Sequence, residues 1–110
     1  MIIEHIKSTT VITQEKLTLA KFVSRLNEVY DEFSNNNLVI NLFSLASLKA
    51  SDLKEFALLS EKHKTNNHSF VLVIDAVPYE DIPDALTVAP TLQEAHDVIE
   101  MEEIERDLGI

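Results

Sequence analysis

This sequence predicts an α/β fold: a mixed sheet of four to five strands with helices packed against it. Two apolar runs, Leu38 to Leu42 and Phe70 to Ile74, leave almost no polar position. That is the pattern of strands covered on both faces. A helix-length segment from about Ser51 to Lys64 separates them. Strand, helix, strand in this order implies a right-handed crossover and parallel neighbours. A third observation is the stripe Leu19, Phe22, Val23, Leu26, Val29, Tyr30 and Phe33, whose three- and four-residue steps mark a one-sided helix.

In chain order, Ile2 to Ile6 and Thr9 to Thr13 are short extended segments, with Lys7-Ser8 as a tight turn between them. The striped helix is expected over 14–33, with Thr13 as its N-cap. Asn35-Asn36-Asn37 should end it, because Asn tolerates the left-handed conformation of a C-cap. After the central strand, Ser51 is placed to cap the next helix and Asp52 suits the positive end of its dipole. Leu53, Phe56, Ala57 and Ser60 form its inner face, and Thr65-Asn66-Asn67 terminates it. Pro78 and Pro83 leave room for one turn of helix at most. Leu86 to Ala89 fits a third parallel strand, stopped by Pro90. Thr91 and Glu94 have capping-box spacing, so a last helix runs from Leu92 to about Asp107, with Gly109 at its C-cap.

At 110 residues, with 45% hydrophobic and 25% charged residues, the chain reads as one domain, 1–110, with a real core. No apolar run approaches the ~20 residues of a membrane span. MIIEHIKS carries an acid early and has no secretory pattern. There is no cysteine, hence no disulfide or thiol chemistry. A cytoplasmic protein is expected. Residues 1–74 hold eight acids and eight bases; residues 75–110 hold eleven acids against Arg106 alone, so the whole net charge of −10 lies there. Phosphate binding needs a basic patch, so nucleic acid is not the expected ligand. The single glycine, Gly109, rules out a phosphate-cradling glycine loop. His63 and His68 lack a carboxylate or second histidine at helical ligand spacing, so no metal and no cofactor is expected.

Asn41 to Leu53 reads N-L-F-S-L-A-S-L-K-A-S-D-L, and the last helix opens Pro90-Thr91-Leu92-Gln93-Glu94-Ala95. The thirteen-residue stretch resembles, without a gap, the D-L-S-x-V-x-x-I-D-S-S-G-L signature of the STAS domain (sulfate transporter and anti-sigma factor antagonist). The helix opening is similar to that family's P-T-x-x-E-A helix start. Asn41 stands at the first Asp, Leu48 at the Ile, Ser51 at the second Ser and Leu53 at the final Leu. Lys49 replaces the second Asp, Ala50 the first Ser and Asp52 the Gly, and the segment between Ile74 and Leu86 is short for the usual third helix. The resemblance implies a divergent STAS-like fold. It also implies a regulatory role through protein contact, in which the second Ser is phosphorylated by a partner kinase to switch binding off. The acidic ending is also similar to small proteins labelled ribonuclease Z, but that enzyme's H-x-H-x-D-H metal motif has no counterpart among His5, His63, His68 and His96.

These readings nominate specific residues. Ser51 is either a plain N-cap or a phosphoacceptor. Ser47, Lys49 and Asp52 form a candidate partner surface at the strand–helix junction. Asp75 ends a central strand, where open α/β sheets often bind ligands; the alternative, which the residues favour, is a plain solvent-facing strand terminus. Seven of the nineteen acids lie within 94–107, interleaved with two apolar stripes. Leu92, Ala95 and Ile99 should face the sheet. Val98, Met101, Ile104 and Leu108 are either an interaction surface or a second buried stripe. The function expected is a non-enzymatic, monomeric regulatory module with a kinase-like or basic-surfaced protein partner and no membrane contact. The alternatives are an accessory protein of a tRNA-processing nuclease and a small-ligand binder.

Overall fold

A computed structural model describes residues 1–45 and 48–109. Five strands form one sheet in chain order: β1 (Ile2–Ile6), β2 (Thr9–Thr13), β3 (Asn37–Asn41), β4 (Phe70–Val73) and β5 (Thr87–Ala89). β1 and β2 are the expected antiparallel hairpin, and the remaining neighbours are all parallel. Lys7 takes the positive φ of the turn, at 56°, which two-residue hairpin loops require.

The registers stack two rows of side chains. Ile12, Ile40, Leu72 and Val88 align across four strands on one face; Val11, Val39 and Val71 align on the other. The first face carries the main core. It is covered by α1 (Leu19–Val29), by a 3₁₀ segment (Ala50–Phe56) and by α2 (Ala57–Thr65), through Phe22, Leu26, Leu53, Phe56 and Leu59. The connection from β4 to β5, with its 3₁₀ turn Tyr79–Asp81, adds Val77 and Leu86 to that core. The second face is covered by α3 (Leu92–Asp107) through Ala95 and Ile99. β3 and β4 are the adjacent inner strands that their non-alternating sequences predict.

Three local expectations are corrected. The first helix begins at Leu19, not residue 14, and Thr18 caps it by accepting from the Lys21 N–H at 3.3 Å. Thr13 is still strand, paired with Asn41, and the Gln14 N–H extends the ladder to the Asn41 carbonyl. The helix then tightens into a 3₁₀ turn, Tyr30–Glu32. None of Asn35 to Asn37 takes a positive φ; Asn67, after α2, does so at 63°. Asn37 is instead the first residue of β3, where it is buried. The second helix is 3₁₀ as far as Phe56 and α-helical only from Ala57.

Candidate functional site

The junction after β3 is a tight, polar-pinned loop. Asn41 accepts the Phe43 N–H on its side-chain oxygen at 3.0 Å, an Asx-type turn that ends the strand. Ser44 donates to the Gln14 carbonyl and to its side-chain oxygen, 3.0 and 2.7 Å away. Gln14, itself buried, donates in turn to the Leu17 carbonyl. Leu42 and Leu48 anchor the loop in the core, while Phe43 is 61% exposed at the C-terminal edge of the sheet. Ser47 lies outside the described residues.

Ser51 is not the cap that the sequence suggested. The cap position is Lys49, whose backbone N–H donates to the Asp52 carboxylate at 2.9 Å, and the Asp52 N–H returns to the Lys49 carbonyl at 3.0 Å. Asp52 therefore performs the capping, from inside the first turn. Ser51 sits beside it with an exposed side chain. Lys49 is exposed as well, so the junction presents a cation, a hydroxyl and a half-buried carboxylate within four residues.

At the ends of β4 and β5 lies a cleft of about 260 Å³ lined by Ile74, Asp75, Val77, Ile82, Val88, Ala89 and Pro90. Asp75, exposed at the strand terminus, supplies the one carboxylate of an otherwise apolar lining.

His63 and His68 are brought close, with ring centroids 5.5 Å apart. His63 is fully buried, and both its ring nitrogens are occupied: Nε2 donates to the Asn36 carbonyl and Nδ1 accepts from the Tyr30 hydroxyl, both at 2.6 Å. The carbonyl can only accept, which fixes the tautomer. Burial holds the imidazole down, to about 4, against the raising effect of that carbonyl, with His68 lowering it further. The Tyr30 hydroxyl is pushed up, chiefly by burial. With no lone pair left for a ligand, the network ties α1's end to α2 and to the entry of β3. Among the described residues, no three of the His, Asp and Glu side chains gather where they could hold a metal ion.

The C-terminal helix is the most informative element. Thr91 caps it by accepting the Glu94 N–H at 3.1 Å, and Gly109 closes it with φ 72°. Ala95 and Ile99 are buried against the valine row, and Val98 packs half-buried beside them. Val98 thus belongs to the sheet side, and Leu92, 40% exposed, does not. Further along, the sheet-facing side turns polar. The Arg106 guanidinium donates to the Ser69 hydroxyl at 3.1 Å and to the Asn37 side-chain oxygen at 3.3 Å, and Ser8 donates to the Glu103 carboxylate at 3.2 Å. Met101, Ile104 and Leu108 fall opposite that side, exposed by 62, 54 and 68%. The second stripe is therefore not core. Neither the Arg106 anchor nor the Tyr30–His63 link was predicted. The only signal for the former was one base among eleven acids.

Comparison with known protein families finds no matching family model, and comparison with curated proteins finds no matching relative. Among the described residues, no helix is long and apolar enough to cross a membrane.

Proposed function

We propose that this chain is a non-enzymatic, STAS-like regulatory module of the cytoplasm, acting by protein–protein contact through the outer face of α3. The observation that carries the reading is the exposure of Met101, Ile104 and Leu108 on a helix whose opposite side is already docked. An apolar strip that the monomer does not need is the usual mark of a partner surface. Glu100 and Glu105 flank it exposed, with Glu102 and Glu103 half-exposed beyond them. A rim of one sign selects a partner with basic groups around an apolar centre. A second copy of the chain fits poorly, because pairing two such helices would crowd like charges. The exposed Ser51 hydroxyl, next to Lys49 at the sheet's C-terminal edge, suits the switch role that the STAS resemblance implies.

The test is the double substitution Met101→Ser with Ile104→Ser. Stability should stay within about 0.5 kcal/mol of the parent, as for exposed positions. Affinity capture from native lysate should yield one stoichiometric partner with the parent protein, weaken with added salt, and fail with the variant. Equal capture by both proteins would refute the reading.

A further inference from the structure

The geometry points to a second docking site: edge strand β1 and the groove between it and α1 take an extended peptide as an added strand. The peptide carries apolar and carboxylate side chains on its groove side. This site is independent of the α3 face.

Among the described residues β1 is the last strand on its side of the sheet, and all five of its residues are exposed. Its outer rim is therefore available to pair with another backbone. Proteins usually blunt such an edge with proline, charged side chains, a bulge or a covering segment. Ile2–Ile6 has no proline, and its five pairs with β2 run without interruption. Its one charged side chain, counting histidine as neutral, is Glu4, paired with Val11 on the face away from Ile3. Instead it presents Ile2, Ile3 and Ile6 at 43, 38 and 47% exposure.

The alternation of the strand gives the two faces different chemistry. Ile3 points, with its partner Ile12, to the α1 side. There it lines a groove of about 530 Å³ with Met1 and Leu17, and Lys21, Arg25 and, at the far end, Glu28 stand on the helix wall, two bases against one acid. Lys21 and Arg25 are one turn apart and exposed. Glu28 reaches Arg25 at 3.3 Å, but both side chains are more than half exposed, so this pair holds the guanidinium weakly. An added strand sends alternate side chains into the groove. The one over Ile3 and Leu17 meets apolar surface, and one within reach of Lys21 and Arg25 meets positive charge. The groove thus selects an apolar residue together with Asp or Glu.

A second copy of the chain is a poorer occupant. The antiparallel register that matches Ile2 with Ile6 sets Glu4 directly against Glu4 of the other copy, and like charges directly opposite are destabilising.

The probe is a short fluorescein-labelled peptide of alternating valine and threonine with one groove-side aspartate, titrated into the full chain. Anisotropy should saturate, and the amide resonances of Ile2 to Ile6 should shift. The exposed double variant Lys21→Glu with Arg25→Glu should bind this peptide about tenfold more weakly and prefer the version with lysine in place of aspartate. Three results would overturn the proposal: no saturation, saturation without shifts in β1, or indifference to the charge reversal. A concentration-dependent shift of the same β1 amides without peptide would assign the edge to a second copy instead.

Discussion

Lowering the pH from about 7.5 to about 5 should unfold this protein more readily through one side chain, His63. The imidazole is fully buried between Tyr30 and the Asn36 carbonyl. Its folded pKa is held down to about 4, whereas an unfolded histidine titrates near 6.5. Between these values the unfolded chain binds the proton and the folded chain does not. The stabilisation is therefore intact above about pH 6.5, falls as the pH drops, and is fully lost below about 4. With those two pKa values the loss is about 2 kcal/mol at pH 5 and about 3 kcal/mol at its limit. Protonation also removes the Nδ1 acceptor from the Tyr30 hydroxyl, beside which the Lys62 ammonium lies 4.7 Å from the Tyr30 ring centroid. The assay is urea unfolding at a series of pH values for the parent and for His63→Phe, which keeps a ring against Phe70, 6.2 Å away. The variant is less stable at neutral pH, because it leaves Tyr30 Oη and the Asn36 carbonyl without their partner. Its stability should nevertheless change by at least 1 kcal/mol less than the parent's between about pH 7.5 and 5, an order-of-magnitude margin drawn from the linkage above. Parallel curves for the two proteins would refute the reasoning.

Arg106→Ala removes both anchors of the last α3 turns and should cost about 1–3 kcal/mol. Hydrogen exchange should rise in Glu102 to Asp107 before it rises in β3. Asp52→Ala should cost about 0.5–2 kcal/mol in a melting experiment, and Ser51→Ala within about 0.5 kcal/mol, because the carboxylate and not the hydroxyl caps the segment. Ser60 is fully buried and its hydroxyl finds no partner among the described residues. Ser60→Ala should therefore stabilise by about 1 kcal/mol in denaturant unfolding.

Hydrophobic runs with one dominant period were legible; boundaries decided by side-chain hydrogen bonds were not. Phe70 to Val73 has no polar residue, so an inner strand was the natural reading. The α3 limits followed from Thr91 and Gly109, whose roles depend on local backbone geometry alone. By contrast, Thr13 and Thr18 are both plausible caps, and only the pairing of Thr13 with Asn41 across two strands chooses between them. Ser51 and Asp52 pose the same ambiguity one residue apart. A serine cap would need the helix to begin two residues later, whereas Leu48, buried in the core, brings the chain in so that Lys49 is the first capping position. Arg106 and His63 draw their roles from residues 37 and 27 positions or more away. No periodicity encodes such contacts.

The acids of α3 give the free protein and its proposed complex opposite responses to salt. Seven acids between Glu94 and Asp107 share one helix with a single arginine, and that arginine points at neutral groups, Ser69 and Asn37. Among the described residues the one ion pair is Arg25–Glu28, far along the chain from this helix. Lys64 and Arg106 share a groove with Glu102 and Glu105, but no ion pair among the described residues involves α3. The carboxylates therefore repel each other with partial compensation, while Ala95, Ile99 and Arg106 hold the helix down. Repulsion among exposed charges is screened over about 8–10 Å at physiological ionic strength. Added salt should then raise the unfolding midpoint of the free chain. The same screening weakens attraction to a basic-rimmed partner, so capture by α3 should fall over the same range. Neutralising Glu100 and Glu105 with glutamine should mimic salt on both counts, stabilising the free protein and loosening the complex. Melting curves and capture, measured on one salt series, separate this account from a purely apolar contact. If capture holds or strengthens as salt rises, the acidic rim is not part of the docking surface, whatever the apolar strip does.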